Sequence, residues 1–266
     1  MKDFLSIKEF SRLSGIETTT LRYWDEIGLF CPAKRNPENN YRYYEPAQVI
    51  AVNFITVMGN LHVPLKTIDE IQVRRDPESI MALIEQQENL LALKMRRLQE
   101  AASVIHMRRS LIKAGLKAEV TEISVQELPQ RALILGPPNT GFSAEGGFYL
   151  PFMKFCNQAK ELRINLNYPI GARHSNLEAF CQAPSEPQHF FSLDPTGNAC
   201  WPGGTYLVGY ARGYYGNFGT MPEKMAAEAK KRGLRCTGPL YTIYLHDEIC
   251  LEDPAHYLSQ ISVAVV

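Results

Sequence analysis

The sequence predicts an α+β multidomain chain: an N-terminal all-α winged helix-turn-helix, a long coiled-coil helix, and a C-terminal α+β domain built on an antiparallel sheet. Three observations predict it. Residues 1–75 hold short helix signals separated by strong punctuation, residues 78–114 run for 37 positions without glycine or proline, and the chain after Gly115 turns to strand-forming and aromatic texture. The implied domains are 1–75, 76–117 and 118–266. With 266 residues, 45% hydrophobic and 21% charged, the composition excludes disordered and fibrous classes and suits about two folded domains.

In the first domain, Ser6 and Glu9 fit a capping box, in which each side chain satisfies an orphan backbone N–H, and Gly15 suits the left-handed residue that ends a helix. A first helix over about Ile7–Ser14 follows. Thr18 is the expected cap of a second helix running through Leu21 and Tyr23 to about Glu26, with Gly28 as its stop. Two short helices joined by a glycine-containing turn make a helix-turn-helix. The run CPAKRNPENNYRYYEP, residues 31–46, reads as a two-stranded wing turning at Glu38–Asn40. Pro46, Pro64 and Pro77 each stand where a helix can begin, because the missing N–H of proline is unpaired there anyway. They open helices at about 46–59, 64–73 and 77–114.

The last of these begins after Asp76, a natural N-cap, and is expected to end at Gly115 as its C′ residue. Ile84, Leu91, Leu98, Ile105 and Ile112 recur every seven residues, while Gln87, Lys94 and Arg108 interrupt the companion positions. Two readings stay open: an antiparallel dimer helix, or a long helix laid on the chain's own C-terminal domain. Beyond it, strands are expected at Glu119–Val125, Arg131–Leu135, Ile170–Ser175, His189–Leu193, Thr205–Arg212, Leu240–Leu245 and Tyr257–Val266, with helices at about 149–163 and 221–232. Their order suggests a duplicated α+β unit.

The chain carries 28 basic and 28 acidic residues, a zero net charge that argues at first against a nucleic-acid partner. By segment, the first two domains total +3 and the third −3, so the average conceals a mild polarity. Six isolated cysteines, no two closer than 14 residues, match no zinc or redox spacing, so no metal site is expected. No apolar targeting segment or 18-residue apolar run occurs, and the expected location is the cytoplasm, with reduced thiols and no membrane partner. G-K-[ST], H-E-x-x-H and G-x-S-x-G are all missing, and no catalytic residue or cofactor is expected.

Residues 6–49 carry a specific resemblance. Leu21–Leu29 read L-R-Y-W-D-E-I-G-L, Pro32–Arg35 read P-A-K-R and Tyr41–Tyr44 read Y-R-Y-Y, in the order and register of the DNA-binding domain of MerR-family transcriptional regulators. Asn40 stands where the family usually has glycine, and asparagine also tolerates positive φ. The resemblance implies a homodimer that binds promoter double-stranded DNA and works with RNA polymerase, activating by distorting an over-long promoter spacer. Thr18, Thr19 and Arg22 are the short polar groups and fork donor for the major groove; Tyr23 is a phosphate donor; Arg35, Tyr41, Arg42 and Tyr43 form the wing contacts. Ser6 is a cap that can also hold a phosphate.

From residue 118 the chain resembles the GyrI-like effector-binding domain of multidrug-sensing members, through G-P-L-Y-T-I-Y-L at 238–245. That resemblance implies a pocket for a small hydrophobic or cationic effector. Thr242 stands where the family has a glutamate, so the negative charge must come from Glu178, Asp247 or Glu248, or from aromatic faces. The expected pocket residues are Phe142, Phe148, Tyr149, Trp201, Tyr206, Phe218, Thr242, Tyr244 and Tyr257, with Trp201 expected on a mobile loop as a pocket wall. The alternative is that this domain acts as a small-molecule hydrolase or a protein-binding module tethered to a DNA-binding head.

Overall fold

The protein is described by a computed structural model covering residues 3–74, 76–140, 149–161, 164–197 and 199–266, with only the backbone of Tyr149. It divides into two compact units, residues 1–97 and 98–266.

The first unit begins with β1 (Leu5–Ser6), α1 (Ile7–Ser14) and α2 (Thr18–Glu26). The capping box forms as expected: Glu9 N–H donates to Ser6 Oγ at 3.3 Å and Ser6 N–H donates to the Glu9 carboxylate at 2.8 Å. Gly15 takes the left-handed cap at φ 74°. At α2 the expectation is corrected. Glu17 is the N-cap and makes no side-chain cap bond, so Thr18 is the first helical residue. The wing forms from β2 (Lys34–Arg35) and β3 (Arg42–Tyr44), with β1 pairing on the other side of β3 to make a three-stranded sheet. Asn36 Oδ1 accepts from the Glu38 N–H at 2.8 Å, and Asn40 takes φ 55°, the left-handed conformation the turn needs.

A 3₁₀ turn at Pro46–Gln48 leads into α3 (Val49–Asn60), followed by α4 (Leu65–Arg74) and α5 (Pro77–Lys117). Phe10, Phe30 and Tyr44 stack with centroids 4.7–5.9 Å apart at the centre of a core that includes Leu21, Trp24, Val52, Ile55 and Ile68. Leu83 of α5 closes it.

The second correction concerns where α5 stops. It continues through Gly115 to Lys117, because the glycine serves packing rather than termination. A Cβ at Gly115 would lie 2.5 Å from the imidazole of His246, whose Nε2 donates to the Ile112 carbonyl at 3.1 Å. Any side chain there would have to displace the His246 ring.

The second unit is an eight-stranded antiparallel sheet formed by β4 (Ser124–Leu128), β5 (Arg131–Pro138), β6 (Ile170–His174), β7 (His189–Ser192), β8 (Ala199–Trp201), β9 (Gly204–Arg212), β10 (Cys236–His246) and β11 (Leu258–Val265). Its order is β4-β9-β11-β10-β6-β7-β5-β8. Helices α6 (Tyr149–Gln158), α7 (Leu177–Gln182) and α8 (Met221–Lys231) connect the strands. The expected duplication is visible in this order. The set β9-α8-β10-β11 and the set β5-α6-β6-β7 each arrange their strands with the last between the other two, and they meet where β10 pairs with β6. Alternation sorts the strand residues onto two faces. Tyr241, Ile243 and Leu245 join Leu111 of α5 in one cluster, while Leu240 packs in another with Met221, Met225 and Phe180. The strand expected at Glu119–Val125 forms five residues later, and β1, β8 and α7 are additions to the expected set.

Candidate functional site

Two arrangements bear on function, one in each unit. In α2, Thr19, Arg22, Tyr23 and Glu26 are exposed, while Leu21, Trp24 and Asp25 are buried. Positions 19, 22, 23 and 26 follow helical spacing, so one uninterrupted stripe of the helix faces solvent. Arg22 makes no ion pair or hydrogen bond among the described residues, which leaves its five donors available. Thr18 is half-buried at the helix start.

The wing arginines are positioned differently. Asp25, with a side chain 1% exposed, accepts from Arg35 Nη2 at 2.6 Å and from Arg42 Nε at 2.5 Å. The hydrogen bond from Arg42 to this carboxylate holds the guanidinium above its ordinary pKa. One buried carboxylate therefore ties both strands of the wing to α2, a role the sequence reading did not give to Asp25. Arg35 also reaches Asn40 Oδ1 at 3.3 Å. Arg35 and Arg42 are thus partly committed within the protein, with their remaining donors on the outer side. Tyr41 is exposed, and its ring meets half-buried Tyr43 edge-on at 5.5 Å. The Ser6 hydroxyl is committed to Glu9, 2.7 Å away, which places a carboxylate where a phosphate was expected.

In the second unit a cavity of about 220 Å³ opens at the β6–β10 junction, between Gly171 and Ala172 on one strand and Thr242 and Tyr244 on the other. Phe152 of α6, Phe190 of β7 and Phe218 line it, as do Arg108, Leu111 and Ile112 from the last turns of α5. Asp247, Glu248 and Ile249, just past β10, complete it. Arg108 Nη1 pairs with Asp247 at 3.4 Å. The Tyr215 hydroxyl donates to Glu248 Oε2 at 2.5 Å, and burial together with that bond raises the phenol's pKa above its usual range. The Tyr244 and Tyr215 rings meet tilted at 57° with centroids 4.6 Å apart, and Tyr214 and Tyr257 extend the ring cluster.

Of the residues expected in the pocket, Phe218, Thr242 and Tyr244 line this cavity, and Tyr257 stands behind it through its ring contacts. Trp201 and Tyr206 do not line it. Trp201 lies on a strand rather than a mobile loop, is 1% exposed, stacks on Tyr241 at 4.5 Å and has the Arg131 guanidinium over its ring at 5.4 Å. Tyr206 is buried with its hydroxyl bonded to the Pro202 carbonyl at 2.7 Å. Trp201 is core because the short β8, unseen in the sequence, pairs with β5 and draws this segment onto the sheet, and Tyr206 is core because it sits on β9 between β4 and β11. Phe142 and Phe148 lie outside the described residues, as does the Tyr149 side chain. Glu178, a candidate for the missing charge, accepts instead from Gln182 on its own helix. Asp247 and Glu248, the other two candidates, are at the cavity.

Two histidines of this unit serve packing: His189 Nδ1 lies 2.9 Å from the Gly136 carbonyl, and His174 packs edge-on against Phe180. Among the described residues no group of three or more His, Cys, Asp or Glu could hold a metal, and no helix is long and apolar enough to cross a membrane.

Comparison with known proteins adds the following. Residues 5–73 match the family of MerR HTH regulatory proteins. The chain is 23% identical over 257 residues to the multidrug-efflux transporter 2 regulator of Bacillus subtilis, covering 95% of this chain and 93% of that protein. It is 36% identical over 90 residues to the transcriptional regulator BrlR of Pseudomonas aeruginosa, a third of either chain. Among solved structures, the EcmrR–DNA complex in EcmrR-RPo aligns over 98% of this chain and 99% of that one, with 17% identity and a TM-score of 0.40.

Proposed function

From the match of residues 5–73 to the MerR HTH regulatory family, we propose that the chain is a dimeric transcription regulator whose C-terminal domain binds a hydrophobic cationic effector. In this reading residues 1–75 are the DNA-binding head, 76–117 the dimer helix and 118–266 the effector domain. The observation that carries the DNA reading is the exposed stripe of α2, where Thr19, Arg22 and Tyr23 stand together with Arg22 unpaired among the described residues. A guanidinium in that position presents a bidentate donor to guanine, and the neighbouring hydroxyls suit bases or phosphates. Thr18, Tyr41, Tyr43 and the outer donors of Arg35 and Arg42 supply backbone contacts that fix register.

The dimer reading rests on α5. Leu90, Leu91, Leu98 and Ile105 are all exposed in the single chain, Leu98 by 70% and Ile105 by 67%. Such a run on one helix is costly in water and suits burial against a second copy. Two heads joined by paired helices bind an inverted repeat and hold the DNA bent between them, consistent with activation through spacer distortion. RNA polymerase is then the partner that benefits.

The effector reading rests on a cavity with apolar and aromatic walls and a carboxylate at its edge, a match for a lipophilic cation. Run-off transcription with purified RNA polymerase, on genomic fragments that the protein retains, tests the whole reading. Transcript is expected to rise when both protein and an effector-type probe such as tetraphenylphosphonium are present. No dependence of transcription on the protein contradicts it.

A further inference from the structure

We propose that the cavity recognises an elongated amphiphile oriented with its apolar body inside and its cationic head at the mouth, and that Glu248 reads that head. The inference rests on the effector reading above and specifies its ligand class.

Burial defines the two ends of the cavity. Phe190 and Thr242 are 1% and 4% exposed, and Phe218 is also buried, whereas Ile249 is 62% exposed and Glu248 stands in solvent contact. Among the described residues the carboxylates that line the cavity are Asp247 and Glu248, both at the open end. They are not equivalent. Asp247 pairs with Arg108 and also accepts from the Ile249 N–H at 3.1 Å, so its charge is neutralised and its geometry spent on the turn. Glu248 receives a neutral phenol from Tyr215, which orients the carboxylate without cancelling its charge. Arg108, Asp247 and Glu248 together leave one negative charge at the mouth.

Among the described residues the inner end offers no compensation for an ion. Its walls are Phe190, Phe218, Ala172 and the Thr242 hydroxyl, which is directed weakly to the Ala172 carbonyl at 3.5 Å. A cation carried there would be desolvated without a counter-charge, which disfavours it. A cation at the mouth keeps part of its hydration, meets Glu248, and lies beside the Tyr215 and Tyr244 rings, whose faces attract positive charge. Charge at one end of the ligand is therefore favoured over charge enclosed at its centre.

Isothermal titration calorimetry on the full chain separates the possibilities with three probes: decyltrimethylammonium below its micelle concentration, decanol, and tetraphenylphosphonium. Wild type is expected to bind decyltrimethylammonium at least tenfold more tightly than decanol. Glu248→Gln, a change at an exposed position, is expected to abolish that ratio while altering decanol affinity by less than twofold. If the probes bind and Glu248→Gln keeps the tenfold preference, the assignment of Glu248 and the ligand orientation are wrong while the effector cavity stands. If no probe binds wild type, the effector reading falls and this inference falls with it.

Discussion

Arg22 and Arg42 carry the same group and differ in what it touches. Arg42 is bound to a buried carboxylate, while Arg22 projects from the exposed stripe with no partner among the described residues. Arg22→Ala is accordingly expected to weaken specific DNA binding by about 1–3 kcal/mol with unchanged thermal stability, read by fluorescence anisotropy and a melt. Asp25→Asn is expected to act the other way round in its first effect. It removes the charge that holds both wing strands, lowering stability by about 1–3 kcal/mol once solvent screening of the half-exposed guanidiniums is allowed for. A melt indistinguishable from wild type would reject that role. A third residue gives a pH signature. Burial lowers the His174 pKa from 6.5 to about 4, so the folded state binds fewer protons than the unfolded one between those values. Its stability is full above about pH 6.5 and falls as pH drops toward 4, by up to about 3 kcal/mol. Urea titrations at pH 7 and pH 5 check this. His174→Leu should lose less stability on acidification than wild type, and equal losses would contradict the assignment. The α2 stripe was legible because helical spacing alone sorts its side chains. The Asp25 pairs were not, since they join residues 10 and 17 positions apart through a wing whose fold must be known first.

At the scale of elements, helix starts were legible wherever a local side chain makes the cap. Ser6 with Glu9 is one case, and Asp76 is another: its Oδ1 accepts from the Ser79 N–H at 2.6 Å, and that bond lowers its pKa. The end of α5 was misread because Gly115 answers to a residue 131 positions away in the chain, His246. That contact makes an unusual prediction. Alanine in a helix is favoured over glycine by about 1 kcal/mol, yet Gly115→Ala is expected to destabilise the second unit, because the new methyl displaces the His246 ring from the Ile112 carbonyl. Calorimetric melting gives the sign directly, and a stabilised variant would show that the ring moves aside freely. The middle of α5 has the opposite character. Leu98 and Ile105 touch no core of their own chain, so Leu98→Glu with Ile105→Glu is expected to convert a dimer to a monomer without unfolding it, measured by light scattering. The strands were legible by alternation and aromatic content, except β8, whose three residues are too short to alternate.

For the whole molecule, the division of labour was more legible than the chemistry of the second unit. The head announces itself within 70 contiguous residues, because a recognition helix and its wing are neighbours in sequence. The cavity gathers residues from α5, α6, β6, β7, β10 and three loops, and no sequence window contains it. That is why Trp201 was expected in the pocket and Arg108 was not. The neutral net charge also takes on a definite meaning at this scale. With little bulk attraction to phosphate, affinity under the proposed function is expected to come from two heads acting together through directed Arg and Tyr contacts. The decisive measurement is selection from random-sequence duplex DNA by the full-length protein, carried out in parallel with Arg22→Ala, followed by stoichiometry on the winning sequence. An enriched inverted repeat bound by two protomers, and lost in the variant, is the expected result. Failure of wild type to enrich any sequence, or equal enrichment by Arg22→Ala, would contradict a dimeric regulator that reads DNA through the exposed face of α2.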